Sequence, residues 1–286
     1  MNIERLEHFT ASQTTPCIFS KGIEEWPALK KWDPQFFKKK FGNLEVILNY
    51  NLPDLISPYL HQAAGYFKTM SLADSIDFIA ENDRCYIAQQ EITDFVGLDL
   101  DFNFFNIVPK SEHKKTTYNS LWIGKNTRSG LHYDYNDNFL VQIYGIKKVF
   151  LVAPEETKYL YPLPENFTKT QVSPLEPDFK KFPKFKKATI WTGEIKPGEI
   201  LYIPKGWFHY IYSPNESISL NCWYGDEVNT KEFLVSFYRS GWRTWIQFCK
   251  DFVWHGVLKQ PAKARLFCSP SLGKLAYDNM VKSLLS

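Results

Sequence analysis

From Tyr118 onward the apolar residues fall into short runs, each bounded by Gly, Pro, Asn or Asp. Runs of about four to eight residues with such punctuation predict β-strands. Eight are expected: Ser120–Gly124, Leu131–Asp134, Asn138–Tyr144, Lys147–Val152, Ala188–Glu194, Glu199–Ile203, Phe208–Tyr212 and Ser217–Tyr224. Tyr144-Gly145 reads as a turn, which makes Lys147–Val152 the expected hairpin partner of the strand before it. Eight short strands fit a double-stranded β-helix, a jelly-roll arrangement. Pro154–Lys187 interrupts them with six prolines and many lysines, and loops of that length are usually functional.

The pattern before and after this block is mixed. Residues 1 to about 50 read as a short helix, a strand at Pro16–Phe19, a second helix opened by Asp33-Pro34, and a strand at Leu44–Leu48. Residues 51–70 read as irregular, Ser71 caps a helix ending near Asn82, and Cys85–Gln89 is a β-rich run. Residues 91–117 read as loop and short helix, with Asp99, Asp101, Glu112 and His113 left unassigned. Asn229-Thr230-Lys231-Glu232 has the form of a capping box. Leu234, Phe237, Trp242, Trp245, Phe248 and Phe252 then recur at roughly helical spacing, and a last helix is expected from Pro270 to about Leu284. The stripe is aromatic enough to suit either internal packing or a homodimer interface. The expected organisation is an α/β scaffold over 1–117, the β-helix core over 118–228 with its insert at 154–187, and a helical region over 229–286.

Composition narrows the class. At 286 residues the chain can bury a large core, and 17% aromatic content favours packing over disorder. A net charge of +3 neither demands nor forbids an acidic partner. The opening MNIERLEHFT lacks an apolar signal core and no run is long enough to span a membrane. Five cysteines without a CxxC suit a reducing compartment. The cytoplasm is the expected location, with the nucleus as the alternative.

Chemistry enters at Leu131–Lys147. In an extended segment side chains alternate, so His132 and Asp134 point the same way. His209, just after the Gly198–Pro204 strand and the Gly206 turn, is the best third ligand. Two His and one carboxylate form the facial set used for non-haem Fe(II). Lys147, Val149 and Leu151 share a strand face, so Lys147 can point inward while Lys148 meets solvent.

These features together resemble the JmjC or cupin-like 2-oxoglutarate oxygenases. The resemblance rests on His132-x-Asp134, Asn138, Lys147, Pro-Gly-Glu-Ile-Leu-Tyr-Ile-Pro (197–204) with His209, and Asn221-Cys222-Trp223-Tyr224. It is most similar in type to the asparaginyl hydroxylase that inhibits hypoxia-inducible factor. The resemblance implies a mainly β, JmjC-type fold with flanking helices. It implies that His132, Asp134 and His209 are catalytic and bind Fe(II), with 2-oxoglutarate and O2 as cosubstrates. Lys147 would pair with the 5-carboxylate of 2-oxoglutarate, helped by Tyr86 and Ser129. Asn138, Asn221 and Trp223 would lie near the cosubstrate and metal. Tyr86 also reads as a core aromatic. The product would be a hydroxylated protein side chain, with succinate and CO2 released. Hydroxylation of a modified tRNA base of the wybutosine type is the alternative, histone demethylation comes third, and a non-catalytic cupin binding module is the non-enzyme reading. The substrate does not transfer with the fold, because Thr168-Lys169 stands where the asparaginyl hydroxylase type carries an Arg-Gln pair for substrate contact. The insert is expected to lie over the site and, with the strand of Asn221 and Trp223, to form a groove.

Overall fold

A computed structural model describes residues 1–53, 57–62, 65–108, 117–225, 229–262, 265–267 and 270–285. The chain begins with two short parallel strands, β1 (Glu4–Leu6) and β2 (Cys17–Phe19). Helices α1 (Ala28–Lys31) and α2 (Pro34–Phe41) precede β3 (Glu45–Asn49), β4 (Phe67–Ser71), α3 (Leu72–Glu81) and β5 (Cys85–Glu91). The barrel strands follow: β6 (Thr117–Lys125), β7 (Thr127–Arg128), β8 (Asp137–Tyr144) and β9 (Lys147–Val152). The insert contributes β10 (Pro162–Leu163) and β11 (Asn166–Thr170). The last strands are β12 (Trp191–Ile195), β13 (Ile200–Ile203), β14 (Phe208–Ser213) and β15 (Ser217–Tyr224). Three helices close the order: α4 (Thr230–Ser240), α5 (Trp242–Asp251) running into a π-helical turn at Phe252–Val257, and α6 (Leu272–Leu285).

Two sheets carry the architecture. A nine-stranded sheet runs β1-β2-β13-β8-β15-β6-β5-β3-β4, and a four-stranded sheet runs β12-β9-β14-β7. Their facing sides enclose an apolar layer that includes Leu140, Val149, Leu151, Leu201 and Ile203. Helices α1 to α3 cover the outer face of the large sheet, with Phe37, Leu48, Leu72 and Ile87 buried there. The insert and α4 cover the outer face of the small sheet around Phe167, Phe208 and Tyr210. This is the mainly β jelly-roll arrangement with a helical C-terminal part. The large sheet runs without a break across residue 117, since β5 pairs with β6.

Local signals read from the sequence reappear as contacts. Asp33 accepts from the Phe36 amide at 2.7 Å with Pro34 in the first turn, and Ser71 accepts from the Asp74 amide at 3.1 Å. Asn229 and Glu232 form both halves of a capping box. Asp101 is structural: it takes Lys31 at 2.7 Å and the Trp32 indole at 3.0 Å. Glu112 and His113 lie outside the described residues.

Four expectations are corrected. The predicted first helix is strand β1, because Glu4–Leu6 pairs with Cys17–Phe19 and the Ile3 amide reaches Thr192 at 2.9 Å. Residues 67–71, read as irregular, form β4 against β3. Leu131–Asp134 is not a strand; only His132 makes isolated bridges, to His209 and Lys169. β9 is not the hairpin partner of β8, since the chain turns at Gly145 and crosses to the other sheet, where β9 pairs with β12 and β14. The aromatic stripe is carried by two helices. Gly241 sits at φ +89°, a conformation that L side chains avoid, and it breaks α4 from α5. Phe233, Phe237, Trp245 and Phe248 pack together half-buried, while Tyr238, Trp242 and Ile246 remain exposed. No helix among the described residues is long and apolar enough to cross a membrane.

Candidate metal centre

The site is built from the short stretch after β7 and the start of β14. The His132 and His209 backbones exchange hydrogen bonds at 3.2 and 2.7 Å, which locks the two ligand-bearing segments in register. Insert strand β11 holds the other edge of the same stretch: Tyr133 N donates to Thr168 O at 2.9 Å, and Thr170 N to Leu131 O at 3.0 Å. Buried Tyr59 reaches the Gly130 carbonyl from behind. A Cβ on Gly130 would sit 2.2 Å from the Tyr59 ring, so the close approach requires glycine there. The insert is therefore hydrogen-bonded into the site rather than only draped across it.

His132, Asp134 and His209 place one ligand atom each within 4.8 Å of one another. His132 Nε2 lies 3.9 Å from Asp134 Oδ1, and His209 Nε2 lies 3.7 Å from Asp134 Oδ2. Each imidazole has its Nδ1 against a backbone carbonyl, Gly130 O at 2.8 Å and Trp207 O at 3.1 Å. A carbonyl only accepts, so Nδ1 carries the proton and Nε2 keeps its lone pair for the shared point. Burial and the neighbouring His209 depress the His132 imidazole to about 3, against the opposing pull of Asp134. Burial raises the Asp134 carboxyl, but His132, His209 and the Trp223 indole outweigh it and hold it below the usual range. A neutral imidazole at His132 beside an ionised Asp134 is the protonation state that a divalent metal ion takes. The donor set thus fits a metal ion.

One cavity beside this triad is lined by Tyr86, Ser129, Asn138, Lys147, Asn221 and Trp223, together with the triad itself. Every residue singled out from the sequence lines it. Lys147 enters from β9, only 2% exposed, and donates to Ser219 Oγ at 2.5 Å. Among the described residues no carboxylate pairs with it, and burial alone lowers its ammonium to about 7. Asn221 Nδ2 donates to Asn138 Oδ1 at 2.9 Å across β15 and β8. Ser129 accepts from the Ile211 amide at 2.9 Å, which leaves its hydroxyl proton to donate. Trp223 does more than wall the cavity: its Nε1 donates to Asp134 Oδ2 at 3.0 Å. Tyr86 packs on Trp122 at 5.3 Å, and burial raises its phenol.

Trp122 was missed from the sequence. It lines the same cavity, and its indole N–H is buried without a partner among the described residues. No local signal marks it: Trp122 faces the cavity because β6 pairs it with Ser219, the hydroxyl that Lys147 reaches. A buried cation without an anion and a buried donor without an acceptor both fit an anionic ligand.

The model of the cupin-like domain matches residues 4–230. Lysine-specific demethylase 8 of Xenopus tropicalis is 29% identical over 229 residues, covering 77% of this chain and 51% of the relative. tRNA wybutosine-synthesizing protein 5 of Gallus gallus is 27% identical over 229 residues, covering 71% of this chain and 69% of the relative. Jumonji C domain-containing protein 5 of Drosophila melanogaster is 27% identical over 227 residues, covering 76% of this chain and 55% of the relative. The chain thus spans about half the length of the first and third of these. With its jelly roll, its His-Asp-His cluster and a match over most of its length, the chain belongs to the JmjC/cupin-like family.

Proposed function

We propose that this chain is an Fe(II)- and 2-oxoglutarate-dependent dioxygenase that hydroxylates a protein side chain and releases succinate and CO2. One observation carries the reading: a His-Asp-His cluster with both Nε2 atoms turned to one point shares a cavity with a buried lysine that has no carboxylate partner among the described residues. His132, Asp134 and His209 are the ligands for Fe(II). Bound iron supplies the redox chemistry that divides O2 between 2-oxoglutarate and a substrate C–H bond.

The chain's own groups do the positioning. Lys147 receives the 5-carboxylate of 2-oxoglutarate, and the incoming charge keeps the ammonium protonated. The Ser129 hydroxyl, the Tyr86 phenol and the Trp122 indole are the remaining donors at that end. Trp223 orients Asp134 so that one carboxylate oxygen stays turned to the shared point. The Asn138–Asn221 pair fixes the cavity floor and holds β8 and β15 in register there. Leu140, Ile203 and Ile211 line the rest with apolar surface and limit water.

A tRNA substrate is the second reading. The wybutosine-synthesizing protein is the one of the three relatives that the chain covers over two thirds of its length. Lys180, Lys181, Lys184, Lys186 and Lys187 of the insert are all exposed. The test is mass spectrometry of cell extract treated with the chain, Fe(II) and 2-oxoglutarate, looking for a new oxygen on peptides and on nucleosides. An added oxygen on peptides that vanishes with His132→Ala supports the proposal. Oxygen on nucleosides alone, with turnover falling steeply in salt, replaces it with the tRNA reading.

A further inference from the structure

The stretch that carries the triad has two faces. His132 and Asp134 look into the cavity described above; Tyr133 and Tyr135, which alternate with them, line a second hollow on the opposite side. This hollow has a volume of about 400 Å³, within the usual range for small-molecule sites. Its floor is aromatic, formed by Tyr133 and Tyr135 backed by the buried Phe208, and the Tyr133 hydroxyl lies 3.4 Å from that of Tyr135. Gly206 forms part of its wall and donates its amide to the Asp134 carbonyl at 2.9 Å, so the two cavities share a partition of one backbone thickness.

Its rim is basic. Among the described residues, Lys205, Lys231 and Arg239 line it against a single carboxylate, Glu232. Lys205 is paired with Glu232, and Arg239 reaches Glu155 at 3.4 Å. Glu155 is 68% exposed, and exposed pairs of this kind hold weakly enough to be exchanged for a ligand anion. Lys231 projects from the first turn of α4, and among the described residues no carboxylate pairs with it. An aromatic floor with a cationic rim is matched by an anion on a flat apolar body.

We propose that this hollow is a second binding site, which takes an organic anion such as an aromatic phosphate or carboxylate, back to back with the triad. The ring lies on Tyr133 and Tyr135, with Phe208 packed behind them, and the anionic group reaches Lys231. The proposal does not depend on the reaction assigned to the triad.

The test is isothermal titration of the purified chain with 1-naphthyl phosphate, beside the neutral 1-naphthol. One-to-one saturable binding is expected, at least tenfold tighter than that of 1-naphthol. Lys231→Glu reverses the rim charge at an exposed position and should weaken it at least tenfold. Val235→Trp places an indole from the half-exposed rim into the hollow and should weaken it by as much. Saturating 2-oxoglutarate should leave the binding in place. Absence of saturable binding, equal affinity for 1-naphthol, unchanged affinity in either variant, or displacement by 2-oxoglutarate would each overturn the assignment.

Discussion

Replacing Lys147 by Met should weaken 2-oxoglutarate binding while making the ligand-free protein more stable. The ammonium is 2% exposed and burial alone lowers it from 10.5 to about 7. At about 1.4 kcal/mol per pH unit, that fall corresponds to about 5 kcal/mol of unfavourable charge burial. The folded-state value lies below the unfolded one, so between about pH 7 and 10.5 the unfolded chain binds the extra proton. Stability therefore rises with pH across that window, and the penalty is fully present below it. Met keeps an unbranched side chain of similar length and removes the charge. The lost contact to Ser219 leaves a buried hydroxyl unpaired, at a cost of about 1–3 kcal/mol. The net gain is about 2–4 kcal/mol, read as a rise of several degrees in the melting temperature of the ligand-free protein. Against that, a charge-assisted contact worth about 1.5–3 kcal/mol disappears, and 2-oxoglutarate should bind roughly ten- to a hundredfold more weakly. Calorimetric titration and thermal melts of the same preparation read both effects. Unchanged affinity would remove Lys147 from the cosubstrate site; a lower melting temperature would show that the buried charge is compensated.

Other outcomes follow from the same geometry. The affinity of the wild-type chain for 2-oxoglutarate should fall about tenfold per pH unit above pH 7, because binding must then protonate Lys147, and should level off below it; a flat titration from pH 7 to 9 contradicts this. Trp223→Phe keeps the ring and removes the donor to Asp134, so metal affinity should drop about ten- to a hundredfold in a competition titration with a chelator. Lys148→Ala, on the opposite strand face, should leave 2-oxoglutarate binding unchanged in the same calorimetric assay. Asn229→Ala breaks the capping box of α4 and should cost about 1 kcal/mol in a urea melt, without altering metal affinity.

What the sequence revealed and what it hid have physical reasons. Alternation put His132 with Asp134 and Lys147 with Val149 and Leu151, and both relations hold because side-chain direction is local to a few residues. Strand partners are not local. Gly145 turns the chain at φ +73°, as a hairpin would, yet nothing in Lys147–Val152 says that its partners are β12 and β14 rather than β8. β1 is three residues long and owes its extended form to residues 17–19 and 192, so its local pattern had no means of showing it. The ligand stretch itself is neither strand nor free loop. It is held by β14 on one edge and by the insert on the other, and only the fold brings Thr168 and Thr170 there. Trp122 was hidden for the same reason: its role appears only when β6 lies beside β15 and Lys147 reaches Ser219 from the other sheet.

The most direct test of the account is anaerobic titration of the purified chain with Fe(II) and 2-oxoglutarate, followed by visible absorption for the weak metal-to-ligand charge-transfer band. The account predicts a band that needs both components, saturates at one equivalent of each, and is absent in Asp134→Ala. An undiminished band in Asp134→Ala, or none in the wild-type chain at saturating iron and 2-oxoglutarate, would contradict it.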